Sequence, residues 1–424
     1  MTAAPTPPPG RTPPQPPAQQ PGRRLRSWTL AVILSLILIA GWAMFLAVAP
    51  TPEVIQPPAL VAVAPSPGEP PPSNQIRLLA WRNAIDADVL AGFAADTGLK
   101  VVVDGYDTNE QLLDRAASGG IAHDVVLVSG VGLKALADQA LLQPLARGEL
   151  RNAANVDPAL AARTAIYDAG NARSIPILWG TIGLAFNAAK VTERLGPDAL
   201  LDSWATLFDP ANAAKLQDCG VQVIDRLTGV FPIALTYLGL PADSAKVEDT
   251  EAATRLWEAI RPSITKFSSE DITDNLAAGA VCMAVATSGD AYQARSKART
   301  AGLANDIRYV LPKEGTVVWY DLLAVPKAAA NTANALRFID YLLRPEVAAR
   351  LTNAKGFAST VTGAALYIKP EIKSDNGLVP DLGKLKVLDE MSPAPAAVAL
   401  RNRFWQLINA PPVTEPPAKA PSAP

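Results

Sequence analysis

Histidine and cysteine are almost absent: 424 residues hold one His, His123, and two Cys, Cys219 and Cys282. Catalytic and structural metal sites draw on several such ligands at short spacings, so no metal cluster can be assembled here. The sequence also has no Gly-x-Ser-x-Gly elbow, no phosphate-binding loop and no dinucleotide glycine pattern. Nucleophile-elbow hydrolysis and nucleotide chemistry are thereby left without a motif. Charge is sparse as well, at 18% of residues with a net charge of −2, which gives no basic footprint for nucleic acid. Aspartate and glutamate are plentiful enough that a carboxylate-pair hydrolase stays open, with nothing in its favour. No internal repeat is found. The reading is of a protein that is not an enzyme and carries no cofactor.

What the chain does have begins at its ends. Residues 1–27 are rich in Pro, Ala and Gln and include Arg11, Arg23, Arg24 and Arg26 but no acid. Such a segment cannot bury enough apolar surface to fold. Residues 28–49, WTLAVILSLILIAGWAMFLAVA, then run without a charge. That length suits one bilayer-spanning helix. The arginines before it, against Glu53 and Glu69 beyond it, place the N-terminus in the cytoplasm and the rest outside. The run exceeds the usual signal-peptide core, and Pro50 follows the Ala47-Val48-Ala49 box, so a signal anchor in the inner membrane is expected. Cleavage and release to the periplasm is the alternative. Residues 50–73 form a Pro-rich spacer, and 411–424 a second Pro-rich, disordered tail.

Between these ends lies the folded module. Ile76–Trp81, Lys100–Val103 and Asp124–Ser129 read as strands. Asp88–Asp96, Asn109–Ala117 and Gly132–Leu142 read as the helices that follow them. This alternation predicts an α/β module with a parallel sheet, in which ligands bind beyond the carboxyl ends of the strands. Residues 173–187 read as a β-rich pair crossing to a second lobe. Strands at 221–225 and 281–286 belong to that lobe, with helices around 231–238, 251–260 and 274–278. The expected division is 74–180 with 316–345 for lobe 1, and 181–315 with 346–410 for lobe 2. Two crossings between lobes make a hinged clamp around a cleft.

The stretch Tyr309–Lys327 carries the clearest chemical signal. Two β-like runs flank a turn at Gly315, and the second bears Trp319, Tyr320 and Asp321. Alternation along a strand points Trp319 and Asp321 the same way. An aromatic face beside a carboxylate attracts a cation, although the same pair also suits a core Trp with a strand-end Asp. Cys219 and Cys282 read as a disulfide if the module lies outside the membrane, and otherwise as two buried thiols.

Several blocks, in order, carry a family resemblance. They are 93–102 (FAADTGLKVV), 107–110 (DTNE), 123–126 (HDVV), 202–204 (DSW), 219–221 (CGV), 286–290 (ATSGD), 312–315 (PKEG) and 341–347 (YLLRPEV). On these the module resembles the periplasmic polyamine-binding proteins of ABC transporters. The resemblance implies a type II periplasmic-binding-protein fold of two α/β lobes joined by a hinge. It also implies a monomer, a small amine ligand, an ABC permease as partner, and a Cys219–Cys282 disulfide. Carried over position by position, the ligand residues are Trp81, Asn83, Ser129, Asp290, Trp319, Asp321 and Phe357.

Departures from the pattern fall on one side of this set. Arg82, Asn83 and Ala84 stand where the family has a serine, an aspartate and a tyrosine. Thr228-Gly229 replaces a glutamate, and Thr287 a tryptophan. A lost cation–π contact is worth about 0.5–2 kcal/mol. A lost buried counter-charge costs about 2–5 kcal/mol. Asp225 is a candidate replacement for the glutamate, and Arg82, if it entered the cleft, would favour a ligand with an anionic group. The expected function is a membrane-tethered receptor that captures a polyamine or related amine for an importer. The alternative is a sensory or interaction module with a degenerate polyamine site.

Overall fold

The structure, a computed structural model, describes residues 74–391 and 395–409. The apolar run 28–49, its flanks 1–27 and 50–73, and the tail 411–424 lie outside the described residues. Among the described residues no helix is long and apolar enough to cross a membrane.

The first half of the module begins with β1 (Gln75–Trp81), α1 (Ala87–Thr97), β2 (Lys100–Tyr106), α2 (Asn109–Ala117), β3 (Val125–Ser129) and α3 (Gly130–Asp138). After α4 (Pro158–Thr164) comes β4 (Ser174–Asn187), and then α5 (Ala188–Leu195), α6 (Ala205–Phe208) and α7 (Pro210–Leu216). Next are β5 (Val221–Val223), α8 (Leu227–Tyr237), α9 (Val247–Ile260), β6 (Lys266–Phe267), α10 (Ile272–Ala278), β7 (Met283–Thr287) and α11 (Ser288–Thr300). The chain closes with β8 (Ile307–Val310), β9 (Thr316–Ala324), α12 (Thr332–Leu342), α13 (Pro345–Lys355), β10 (Ala358–Ser359), α14 (Pro370–Lys373), β11 (Val387–Asp389) and α15 (Pro395–Asn409).

Local chemistry explains the early elements. Thr108 caps α2 by accepting from the Gln111 amide, and Ser129 caps α3 by accepting from Gly132. Gly98, at φ 72°, ends α1 in the left-handed conformation that glycine adopts without a side-chain penalty.

The strands lie in the order β2-β1-β3-β9-β4-β7-β5-β6. The β1–β2, β1–β3, β5–β7 and β5–β6 pairs are parallel. The β3–β9, β4–β9 and β4–β7 pairs are antiparallel, so the sheet is mixed rather than parallel throughout. Residues 173–187, expected as a strand pair, form one 14-residue strand. Its register shifts between Pro176 and Leu178, where proline cannot donate to the ladder. The two runs around Gly315 do not pair with each other. Instead β9 pairs with residues 174–181 of β4, and β8 with residues 184–187.

Alternation in the strands feeds both faces of the first half of the sheet. Ile76, Leu78, Ala80, Val125 and Leu127 pack with α1 residues Val89 and Phe93 and with Phe338 and Ile339 of α12. Leu79, Val126 and Val128 join Leu112, Leu133 and Leu136 from α2 and α3 in a separate cluster. Strands buried on both faces read as continuous apolar runs, as β3 does. The third cluster gathers the second half of β4, β5, β7, α8 and α9 around Trp204, Phe231 and Trp257. Val347, Leu351, Val361 and Ala364, which the sequence division assigns to lobe 2, pack into the first core with α1. Only later residues such as Ile372, Leu378, Trp405 and Ile408 join the third cluster.

Cys219 and Cys282 form a disulfide across a Cα separation of 5.3 Å, so the two-thiol alternative does not hold. It ties the turn before β5 to the residue before β7. Closing a loop of 63 residues contributes about 4 kcal/mol in the chain-entropy account.

Candidate ligand-binding site

Most of the expected site residues converge where β1 and β3 end, beside the interior of β9 and the β7–α11 junction. Trp81 is the last residue of β1, and its indole N–H donates to the Asp321 carboxylate at 3.0 Å. Its ring lies 4.4 Å, centroid to centroid, from that of Tyr106, the last residue of β2. Ser129 stands opposite Asp321 in the β3–β9 register, which puts both side chains on one face. Its hydroxyl is already engaged, donating to Asn109 and accepting from the Gly132 amide.

Two rings and two glycines build the next layer. Trp319 and Phe357 meet edge to face at 4.6 Å. A Cβ on Gly180 would lie 2.5 Å from the Trp319 ring and 2.9 Å from the Ser288 hydroxyl. One on Gly289 would lie 2.1 Å from the Phe357 ring. Both glycines are therefore seats for aromatic rings, and no larger residue fits either position without moving them. Asp290 follows Gly289 at the start of α11. It closes a capping box with Thr287, accepting from the Thr287 amide and hydroxyl through one oxygen.

The electrostatics centre on two groups that sequence reasoning missed, Arg226 and Glu390. Arg226 precedes α8, and its guanidinium carbon sits 5.8 Å from the centroid of the Trp319 ring. Its Nε lies 3.4 Å from a Glu390 carboxylate oxygen, with the Glu390 side chain 2% exposed and that of Arg226 25% exposed. Thr228 donates to the same Glu390 oxygen. Glu390 follows β11, and its amide donates to Val318 of β9. Asp321 is pushed up to about 7, first by burial and then by Glu390; Arg226 and the Trp81 N–H oppose the shift. Burial also raises Asp290, against its bonds from Thr287 and the field of Arg226. Of the buried polar atoms without a partner among the described residues, three belong to this site: Trp319 Nε1, Ser288 Oγ and Glu390 Oε2.

Not every expected residue joins this group. Asn83 occupies a left-handed turn at φ 61° and is exposed. Arg82 turns outward and makes a two-pronged ion pair with Asp107, both bonds 2.8 Å, so it does not enter the cleft. Asp225 is exposed and accepts from Trp405, so it does not replace the missing glutamate. Glu390 supplies a carboxylate beside Thr228 instead. Gly229 is packed so closely on Ile182 that a Cβ would lie 2.4 Å from its terminal methyl. Arg226 was signalled only by a charge next to an aspartate at a helix start. Glu390 had no signal, because it reaches the cleft through a short strand near the Pro-rich end.

Residues 88–380 match the family of bacterial extracellular solute-binding proteins. The chain belongs to that family. This solute-binding protein is 37% identical to the putrescine-binding periplasmic protein SpuD of Pseudomonas aeruginosa over 329 residues, 77% of this chain and 90% of that one. It is 34% identical to the putrescine-binding periplasmic protein PotF of Escherichia coli over 337 residues, 78% and 90% of the two chains. In three dimensions it resembles a Listeria monocytogenes protein provisionally designated a spermidine/putrescine ABC transporter. The TM-score is 0.70 at 27% identity, over 80% of this chain and 99% of the other. The α/β periplasmic-binding-protein fold expected from the sequence is thus the fold of this chain.

Proposed function

We propose that this solute-binding protein captures a polyamine or related amine outside the cytoplasmic membrane and delivers it to the permease of an ABC importer. The observation that carries the reading is the buried Asp321 carboxylate, held by the Trp81 N–H on the same strand face as the Trp319 indole. A carboxylate beside an aromatic face, both shielded from water, selects a cation. The relatives that bind putrescine support the same ligand class.

The apolar run 28–49 acts as an uncleaved anchor, and the spacer 50–73 holds a monomeric module at the periplasmic face. Tethering raises the local concentration of receptor at its permease. The lobes close about the place where β4 passes from one core to the next. The second lobe then begins at 181, and residues 347–364 move with the first.

Calorimetric titration of the full chain with putrescine, spermidine and basic amino acids tests the ligand class. Saturable heat at about micromolar affinity is expected; a folded protein giving none with any amine sinks the reading. For the tether, the chain should stay with membranes through an alkaline wash, and recovery in the wash would reject it.

A further inference from the structure

Arg226 places a positive charge inside a site otherwise built to attract one. Its guanidinium lies over Trp319, the ring expected to face a ligand cation, and against Glu390, one of the buried carboxylates. One aromatic–acid cation position is therefore already filled by the chain itself. A second cationic group brought to the same ring would meet a like charge. Asp321 accepts from the Trp81 N–H and, among the described residues, forms no direct ion pair, although the field of Arg226 reaches it.

Two of the three unpartnered atoms of the site can donate, while the third, Glu390 Oε2, is an acceptor on the carboxylate that Arg226 pairs. Trp319 Nε1 can only donate, and the Ser288 hydroxyl crowds the same point above Gly180 as the Trp319 ring. With Arg226 they form a set of donors, and buried donors call for an oxygen acceptor. The Trp319 side of the site thus carries donors beside a carboxylate that Arg226 already pairs, while Asp321 has no such direct partner.

Resting on the amine-receptor reading, we infer that Arg226 replaces one ammonium group of a diamine. The ligand of this protein carries a single ammonium, for Asp321, and an oxygen acceptor at its far end, for Arg226, Trp319 and Ser288. An ω-amino acid and an N-acylated diamine share this chemistry.

The test titrates the full chain with putrescine, N-acetylputrescine and 4-aminobutyrate, before and after Arg226→Met. At least one of the two acceptor-bearing ligands should bind the native protein about tenfold or more tighter than putrescine, because like-charge juxtaposition is strongly disfavoured. In Arg226→Met the ratio should shift toward putrescine by about tenfold or more. Arg226→Gln serves as the second variant, with circular dichroism to verify folding of each. Putrescine binding as tightly as both alternatives in the native protein overturns the inference and leaves the receptor reading intact. An unchanged ratio in the folded variants overturns the role of Arg226. Absence of binding by every amine overturns the receptor reading and this inference with it.

Discussion

Asp321 and Glu390 are two buried carboxylates of one site, and they differ in what pairs with them. Glu390 has Arg226 at 3.4 Å and a Thr228 hydroxyl. Among the described residues Asp321 has an indole N–H and no direct ion pair, and burial lifts it to about 7 against the field of Arg226. A buried carboxylate with a resident cation is part of the scaffold. A buried carboxylate without one is under-compensated and favours an incoming cation. The comparison separates a carboxylate that holds the protein together from one available to a ligand, although both are buried.

Removing each charge in turn should break the comparison most sharply. Asp321→Asn takes away the counter-charge of the ligand, and amine affinity should fall by about 2–5 kcal/mol in calorimetry. The fold should be undiminished in a urea melt, since the buried charge itself is unfavourable. Glu390→Gln should do the reverse. It leaves Arg226 without its partner and should lower unfolding stability by about 1–3 kcal/mol, discounted because Arg226 is partly exposed.

Titration sharpens the contrast. The unfolded chain releases the Asp321 proton near the ordinary carboxylate value of about 3.9. The folded chain releases it near 7, so it binds more protons between these values. Stability therefore falls as pH rises through that window. A cationic ligand favours the ionised form, so its affinity should rise about tenfold per pH unit up to about 7 and then level off. Titrations in buffers of differing ionisation enthalpy should show about one proton released per ligand near pH 6; none released would contradict the assignment. The smallest effect is expected from Trp81→Phe. Loss of one N–H bond to the carboxylate should move that pH midpoint upward by about one unit.

Much of the fold was legible because early strands and helices carry their own boundary signals. The helices expected at 88–96 and 109–117 form at Ala87–Thr97 and Asn109–Ala117, closed by Gly98 and opened by the capping Thr108 respectively. Gly180 shows where local signals mislead. Residues 173–187 read as a strand pair, yet Gly180 lies within one strand, where the Trp319 ring occupies the space of its side chain. The candidate site divides in the same manner. Trp319 and Asp321 share a face by alternation alone, and a direct bond joins Asp321 to Trp81, which the resemblance had placed in the site. Arg82, adjacent to Trp81 in sequence, is drawn outward by Asp107. Arg226 and Glu390 escaped notice because their pairing spans two distant segments, and spacing carries no trace of it.

The disulfide makes stability depend on compartment. In a reducing cytoplasm Cys219 and Cys282 stay as thiols, and the module forgoes about 4 kcal/mol until it meets an oxidising environment. That is a large share of the 5–15 kcal/mol typical of folded domains. Copies held back on the wrong side of a membrane would open more often and be cleared by proteases sooner, so the bridge couples the lifetime of the protein to its arrival.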